Sequence, residues 1–147
     1  MDSRGAEMSI VLDASVALGW QVVRENPKEA EVAQAALEAA LFEGALVPSL
    51  WFSEISNALL VGERRGAFGP RETQLFRADL DTVPLETDTA RLEAAQERVL
   101  QLARAHELTA YDATYLELAE RTGSRLATFD RQLAEAARAA GVGVFGD

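Results

Sequence analysis

Short, continuous apolar segments alternate with longer helical segments along most of this chain, and this alternation limits its possible folds more than any other feature. The predicted strands are residues 9–12, 45–47, 82–85, 125–129 and 142–145. The predicted helices are residues 14–24, 28–43, 49–65, 70–80, 87–105, 109–121 and 131–140. Continuously apolar strands are typical of parallel strands that are buried on both faces. The sequence therefore predicts an α/β fold with three layers, α/β/α, around a parallel sheet of about five strands.

Length and composition narrow the class of protein. The 147 residues predict a single domain over residues 8–147, preceded by a disordered extension over residues 1–7. The chain has no cysteine, which excludes disulfides, zinc fingers, iron–sulfur clusters and thiol catalysis. His106 is the one histidine, so no site can contain two imidazoles. No apolar segment approaches the roughly 20 residues of a membrane span, and we expect a soluble, cytoplasmic protein with no membrane partner.

The net charge bears on nucleic-acid binding. Lysine and arginine total 14 against 24 aspartates and glutamates, which gives a formal net charge of -10 at pH 7. A surface of this charge repels nucleic acid on average. A role on nucleic acid would therefore need a local basic patch or a bound metal ion.

Four acidic residues fall where the carboxyl ends of the predicted strands would meet. Asp13 directly follows the first strand, and Asp130 follows the fourth. Glu54 lies early in the helix after the second strand, and Asp112 lies in the first turn of a later helix. In an open parallel sheet, ligands bind in the crevice beyond the carboxyl ends of the strands. The sequence therefore predicts that these four acids lie around one crevice.

Carboxylates gathered at one crevice predict a metal site. Like charges at close range raise one another's pKa, so one or more of these acids would be protonated at neutral pH unless a cation neutralised them. Mg²⁺ and Mn²⁺ are hard ions that prefer carboxylate and water oxygens. Such an ion can bind a substrate phosphate and activate a water molecule. The acids thus predict a phosphodiester hydrolase with Mg²⁺ or Mn²⁺ as its cofactor.

Each acid alone also has a structural explanation. Asp112, three residues after Thr109, fits a capping box, and Asp130 fits the N-cap of the last helix. Glu54 could simply be a solvent-exposed residue of its helix. Asp13 is the hardest to explain in this way, because aspartate is depleted in strands. The prediction therefore depends on the combination of the four.

Around these acids the sequence resembles the PIN-domain ribonucleases, and within them the VapC-type toxins of toxin–antitoxin pairs. The similar segments are IVLDASVAL (residues 10–18), PSLWFSEISNAL (48–59), LTAYDATY (108–115) and LATFDRQL (126–133). They occur in the order typical of the family, and the resemblance spans nearly the whole chain from Met8. It implies a PIN-like fold.

The resemblance also implies roles for individual residues. The catalytic and metal-binding acids would be Asp13, Glu54, Asp112 and Asp130. Supporting roles would fall to Ser15 and Thr128, as hydroxyls near the acids, and to Asn57, which would orient Glu54. The implied activity is endonucleolytic cleavage of RNA, often tRNA or rRNA, by a metal-activated water.

Partners follow from the resemblance as well: a homodimer and a small VapB-like antitoxin that blocks the acidic pocket. The amino-acid pattern by itself gives only weak support for an interface or for RNA contacts. Trp51, Phe52, Leu59 and Leu60 surround their helix, so part of this surface could be an interface, or the helix could simply pack against its neighbours. Arg64, Arg65 and Tyr111 could contact RNA. The arginines equally suit a helix C-terminus, and Tyr111 and Tyr115 are both predicted to be packing residues.

Two other functions compete with this interpretation. One is a PIN-like module that binds RNA or protein without cutting. The other is an aspartate-dependent phosphatase, which would also carry an aspartate after its first strand. That enzyme needs a second aspartate two residues later, where this chain has Ser15, and Lys28 is badly placed to be its lysine.

Overall fold

A parallel sheet of four strands lies at the centre of the computed structural model, which describes residues 9–90 and 92–147. The strands are β1 (Ile10–Leu12), β2 (Ala45–Val47), β3 (Leu85–Thr87) and β4 (Arg125–Ala127), in the spatial order β3-β2-β1-β4. Ile10 pairs with Ala45 on one side and with Arg125 on the other. Strand β1 is thus an interior strand, and all three of its residues are buried.

Helices cover the sheet and connect its strands. They are α1 (Ala14–Leu18), α2 (Pro27–Glu43), α3 (Leu50–Arg64), α4 (Pro70–Leu80), α5 (Leu92–His106), α6 (Ala110–Thr122) and α7 (Arg131–Ala139). Helix α1 packs against α2 and α3, whereas α6 packs against α5, α7 and the strands β1 and β4. In the described ranges, no helix combines the length and apolar character that a membrane crossing requires. The predicted α/β/α fold class is confirmed.

The first helix is shorter than the sequence predicts. The pattern favours a helix over residues 14–24, but α1 ends at Leu18 because Gly19 enters a tight turn. A Cβ at Gly19 would lie 3.0 Å from the carbonyl oxygen of Val16 and 3.3 Å from the ring of Phe129. Trp20 then donates its indole N–H to the carbonyl oxygen of Ala33 in α2 at 2.8 Å. This contact joins the segment after α1 to α2.

The third strand begins later than the sequence predicts. The pattern favours a strand over residues 82–85, but Thr82 and Val83 extend the turn after α4, bonding to the carbonyl oxygens of Asp79 and Leu80 at 3.0 Å. Pairing with β2 starts only at Leu85. The helix predicted over residues 87–105 accordingly starts at Leu92, because Thr87 belongs to β3.

The predicted fifth strand, residues 142–145, is only one bridge. Val144 pairs in parallel with Leu126 outside any named strand. Gly141 and Gly146 on either side adopt positive φ angles of 80° and 96°, so extended backbone does not continue beyond this short segment. The predicted extension over residues 1–7 lies outside the described residues.

Candidate active site

Asp13 occupies the carboxyl end of the interior strand β1. Its side chain is buried, with only 6% of the residue exposed. Its Oδ2 atom accepts hydrogen bonds from the hydroxyls of Ser15 at 2.7 Å and Thr128 at 2.6 Å. Burial raises the pKa of Asp13, the two hydroxyl hydrogen bonds lower it, and the negative charge of Asp130 raises it; the net direction is upward.

The same hydroxyls also hold the segment after β4. Ser15 Oγ accepts the backbone N–H of Phe129 at 3.0 Å, and Thr128 Oγ1 accepts the N–H of Asp130 at 3.0 Å. Each hydroxyl therefore donates to Asp13 and accepts from the segment that leads to Asp130. Two of these four hydrogen bonds, Thr128 to Asp13 and Phe129 to Ser15, join the ends of the neighbouring strands β1 and β4.

Glu54 reaches the same region from α3. It is partly buried, and its Oε1 atom accepts the hydroxyl of Tyr115 at 2.5 Å. Burial raises the pKa of Glu54, the Tyr115 hydrogen bond lowers it, and the charges of Asp13 and Asp112 raise it. The net pKa lies above its ordinary value, and part of the cause is repulsion from the other acids.

Asp112 lies in the first turn of α6. The helix is capped by Thr109, whose Oγ1 accepts the backbone N–H of Asp112 at 3.1 Å. Burial, followed by the charges of Asp130 and Asp13, raises the pKa of Asp112 to about 6. A carboxylate stabilised by the N–H groups of a helix start would have a lowered pKa. Thr109 thus forms half of the predicted capping box, while burial and the neighbouring acids have the largest effect on the Asp112 carboxylate.

Asp130 has a structural role. Its Oδ1 atom accepts the backbone N–H of Leu133 at 2.8 Å, so it is the N-cap of α7. The residue is exposed. Its charge nevertheless contributes to the raised pKa values of Asp13 and Asp112. Capping and membership of the acidic site are thus compatible.

The donor chemistry of the acids suits a divalent metal ion. All four offer carboxylate oxygens, and three of them have pKa values raised by burial and by one another. Among residues 9–90 and 92–147, no three acidic or histidine side chains are already arranged as a metal-binding group. A hard cation would relieve the repulsion by drawing the carboxylates together. The acids have the donor atoms and the charge that such an ion requires. Their side chains are not yet arranged around a metal position in the described residues.

Asn57, Arg64 and Arg65, which the sequence also assigns to the site or its substrate, are exposed on α3 or at its end. Asn57, which the resemblance assigns to orienting Glu54, is exposed beside Phe52 and Leu60 on the outer side of α3, and the side chain that bonds to Glu54 is Tyr115. Arg64 and Arg65 are exposed at the end of α3. Arg65 lines a groove of about 730 Å³ between α3 and the segment that joins α1 to α2.

Two tyrosines of α6 have contrasting surroundings. Tyr111 is 69% exposed beside Asp112, so it is not the packing residue that the sequence predicts. Tyr115 is fully buried, yet its hydroxyl contacts an acid of the site. The sequence pattern indicates only packing for Tyr115. Its spacing of three residues from Asp112, which places both on one face of α6, is the signal that could have linked it to the site.

Comparisons with known proteins agree with this architecture. The family model of the PIN domain matches residues 10–139. Ribonuclease VapC3 of Pyrobaculum aerophilum is 31% identical over 134 residues, which is 87% of this chain and 94% of the relative. The crystal structure of PAE2754 from Pyrobaculum aerophilum superposes with a TM-score of 0.65 and 23% identity, covering 88% of this chain and 79% of that one. The structural likeness concerns the fold alone.

Proposed function

We propose that this chain is an endoribonuclease that depends on Mg²⁺ or Mn²⁺. The chain belongs to the PIN-domain family and is of the VapC type. One observation carries the proposal. A buried aspartate at the end of the interior strand is held by two hydroxyls and is close enough to other acids for their charges to raise one another's pKa. The likeness to a protein named as a ribonuclease supports RNA as the substrate.

In the proposed mechanism, the acids bind the metal ion and accept a proton. Asp13, Glu54, Asp112 and Asp130 would hold the divalent ion. When bound, the ion supplies positive charge toward the scissile phosphate and lowers the pKa of a water molecule. Asp112 remains partly accessible, so an oxygen of Asp112 that the ion leaves free would accept the proton that the attacking water loses.

Substrate contacts outside the acids belong to the proposal as well. The chain carries a net charge of -10, so RNA would approach the site against an unfavourable average field. Arg64 and Arg65 would contact RNA phosphates, and the exposed ring of Tyr111 beside Asp112 would stack on a base. We expect tRNA or rRNA as the target.

We further propose that residues 8–147 form one domain, that two copies form a homodimer, and that a small VapB-like antitoxin inhibits the site. Phe52 and Leu60, two turns apart on α3, are 48% and 43% exposed, whereas Trp51 and Leu59 are buried. Both side chains lie on one outer face of α3, where a second copy would cover them. These two residues are our candidates for the dimer interface.

The central experiment is incubation of the purified protein with total RNA in Mg²⁺, in Mn²⁺ and in EDTA. We expect discrete cleavage products with either metal and none in EDTA. Asp13→Asn should abolish cleavage, and the matched control Asp81→Asn, which changes an exposed aspartate after α4, should retain it.

Other outcomes would favour other functions. Equal cleavage by the wild type and Asp13→Asn would indicate a contaminating nuclease. Binding of RNA without cleavage would favour the non-cutting module, and release of phosphate from a monoester such as p-nitrophenyl phosphate would favour the phosphatase.

A further inference from the structure

Tyr115 joins two helices at the candidate active site through one hydrogen bond. Its side chain has 0% exposure, and its hydroxyl donates to Glu54 Oε1 at 2.5 Å. Tyr115 lies on α6 and Glu54 on α3, 61 residues apart in the chain. The hydrogen bond therefore links the Glu54 side chain on α3 to α6, the helix that also carries Asp112.

Packing does not explain the hydroxyl. A phenylalanine ring would fill the same volume, and burying a hydroxyl costs free energy unless it finds a partner. Many buried hydroxyls bond to backbone carbonyls, as Thr122 does with Leu118 in the same helix. Tyr115 instead donates to a carboxylate that is already repelled by Asp13 and Asp112. Its partner is thus an acid of the site.

We propose that Tyr115 is a positioning residue, whose hydroxyl fixes one oxygen of Glu54 and leaves the second oxygen available to the divalent ion. The inference rests on the proposed function. A hydrogen bond to a charged carboxylate is stronger than one between neutral groups, and it restricts the rotation of the carboxylate. Glu54 is thereby held in place beside Asp112 before the ion binds.

The first test measures the affinity for Mn²⁺ directly, by electron paramagnetic resonance of the free ion. Tyr115→Phe removes only the hydroxyl and should weaken Mn²⁺ binding by about tenfold, as loss of a group that orients a metal ligand commonly does. Thr122→Val is the matched control, because it removes a partly buried hydroxyl from the same helix. It should bind Mn²⁺ as the wild type does.

A double-mutant cycle separates positioning from general damage. If Tyr115 acts through Glu54, Tyr115→Phe should change the Mn²⁺ affinity little in a Glu54→Ala background. An equal loss in both backgrounds would overturn the inference. So would unchanged Mn²⁺ binding by Tyr115→Phe. A wild type that neither binds Mn²⁺ nor cleaves RNA would overturn the proposed function itself, and the inference with it.

A second measurement does not require that Tyr115→Phe fold. The chain has two tyrosines, so labelling with 3-fluorotyrosine gives two fluorine resonances, and Tyr111→Phe identifies that of Tyr115. Mg²⁺ should shift the Tyr115 resonance in the wild type and leave it unmoved in Glu54→Ala. A Tyr115 resonance that ignores Mg²⁺ in a wild type that cleaves RNA would overturn the positioning role alone.

Discussion

Thr128 Oγ1 donates a 2.6 Å hydrogen bond to Oδ2 of Asp13, a residue that lies 115 positions earlier in the chain. The two residues follow β4 and β1, which are parallel neighbours in the sheet. The bond lowers the pKa of Asp13 and opposes the effect of burial, which is the largest influence on it. The negative charge that Asp13 needs for its proposed role as a metal ligand therefore depends partly on a hydroxyl 115 residues away in the sequence.

Replacing Thr128 with valine should weaken the site through Asp13. The substitution keeps the shape of the side chain but removes the donor, so the pKa of Asp13 should rise further. We expect RNA cleavage at neutral pH to fall by about tenfold and to recover partly as the pH is raised. Rates measured from mildly acidic to alkaline pH test this, with Thr122→Val as the control. An unshifted pH profile in Thr128→Val would contradict the prediction.

Asp112 should make the metal-free protein less stable as the pH rises. Its pKa is about 6 in the folded chain against an ordinary value of 3.8, so the folded state binds the proton more tightly than the unfolded state. The stability that this group contributes is complete below its ordinary pKa and is lost as the pH rises through about 6. Above that pH, Asp112→Asn should have a higher Tm than the wild type in EDTA, and near pH 3.8 the two should converge. A difference in Tm that stayed constant across this pH range would contradict the prediction. Asp81→Asn is the control.

A divalent ion should reverse this loss of stability. Binding to the folded state stabilises it by RT ln(1 + [L]/Kd), about 2.7 kcal/mol at a concentration of 100 Kd. We therefore expect MnCl₂ to raise the Tm of the wild type at neutral pH, and Asp13→Asn to lose most of that increase. NaCl at matched ionic strength controls for screening of the net charge. Equal shifts in the wild type and Asp13→Asn would show that the ion acts elsewhere.

Asp88 should have the opposite effect on stability. It follows β3 and forms an ion pair with Arg121 at 2.7 Å, and it also accepts the N–H of Ala90 at 3.1 Å. Burial raises its pKa, but these bonds outweigh burial, so its pKa lies below the ordinary value of 3.8. Asp88→Asn should cost about 1 kcal/mol at neutral pH. The cost should disappear as the pH falls below the pKa of Asp88, and a cost that persisted in acid would contradict an ionic origin.

The exposed apolar pair on α3 should control self-association. Leu60→Asp places a charge on the proposed interface, so light scattering after size-exclusion chromatography should report a monomer where the wild type is a dimer. Leu100→Asp is the matched control, because Leu100 is similarly exposed, at 45%, on α5. A monomeric wild type, or a dimeric Leu60→Asp variant, would remove Phe52 and Leu60 as the interface.

Elements bounded by glycine and proline could be predicted from the sequence. Strand β2 lies between Gly44 and Pro48, and α4 follows Gly69; both have the predicted bounds. The error at Gly19 arises because a glycine inside a helical pattern is tolerated in many helices. Here the ring of Phe129, distant in sequence, lies 3.3 Å from the position that a Cβ would take. Such tertiary contacts are invisible to local patterns.

The candidate site could be predicted in part for a related reason. Parallel strands end at one edge of the sheet, so the sequence pattern alone is enough to place the acids after β1 and β4 together. The Tyr115 hydrogen bond could not be predicted in this way. A tyrosine on the buried face of a helix has the pattern of any packing residue until its partner is identified. Asn57 has a polar side chain near Glu54 in sequence but faces solvent.

The pairing of β1 with β4 also bears on when the acidic site forms during synthesis. Thr128 leaves the ribosome 115 residues after Asp13. A nascent chain that has not yet produced β4 lacks the hydroxyl, the neighbouring strand and Asp130 together. The candidate site therefore assembles only after β4 and the residues that follow it have been synthesised.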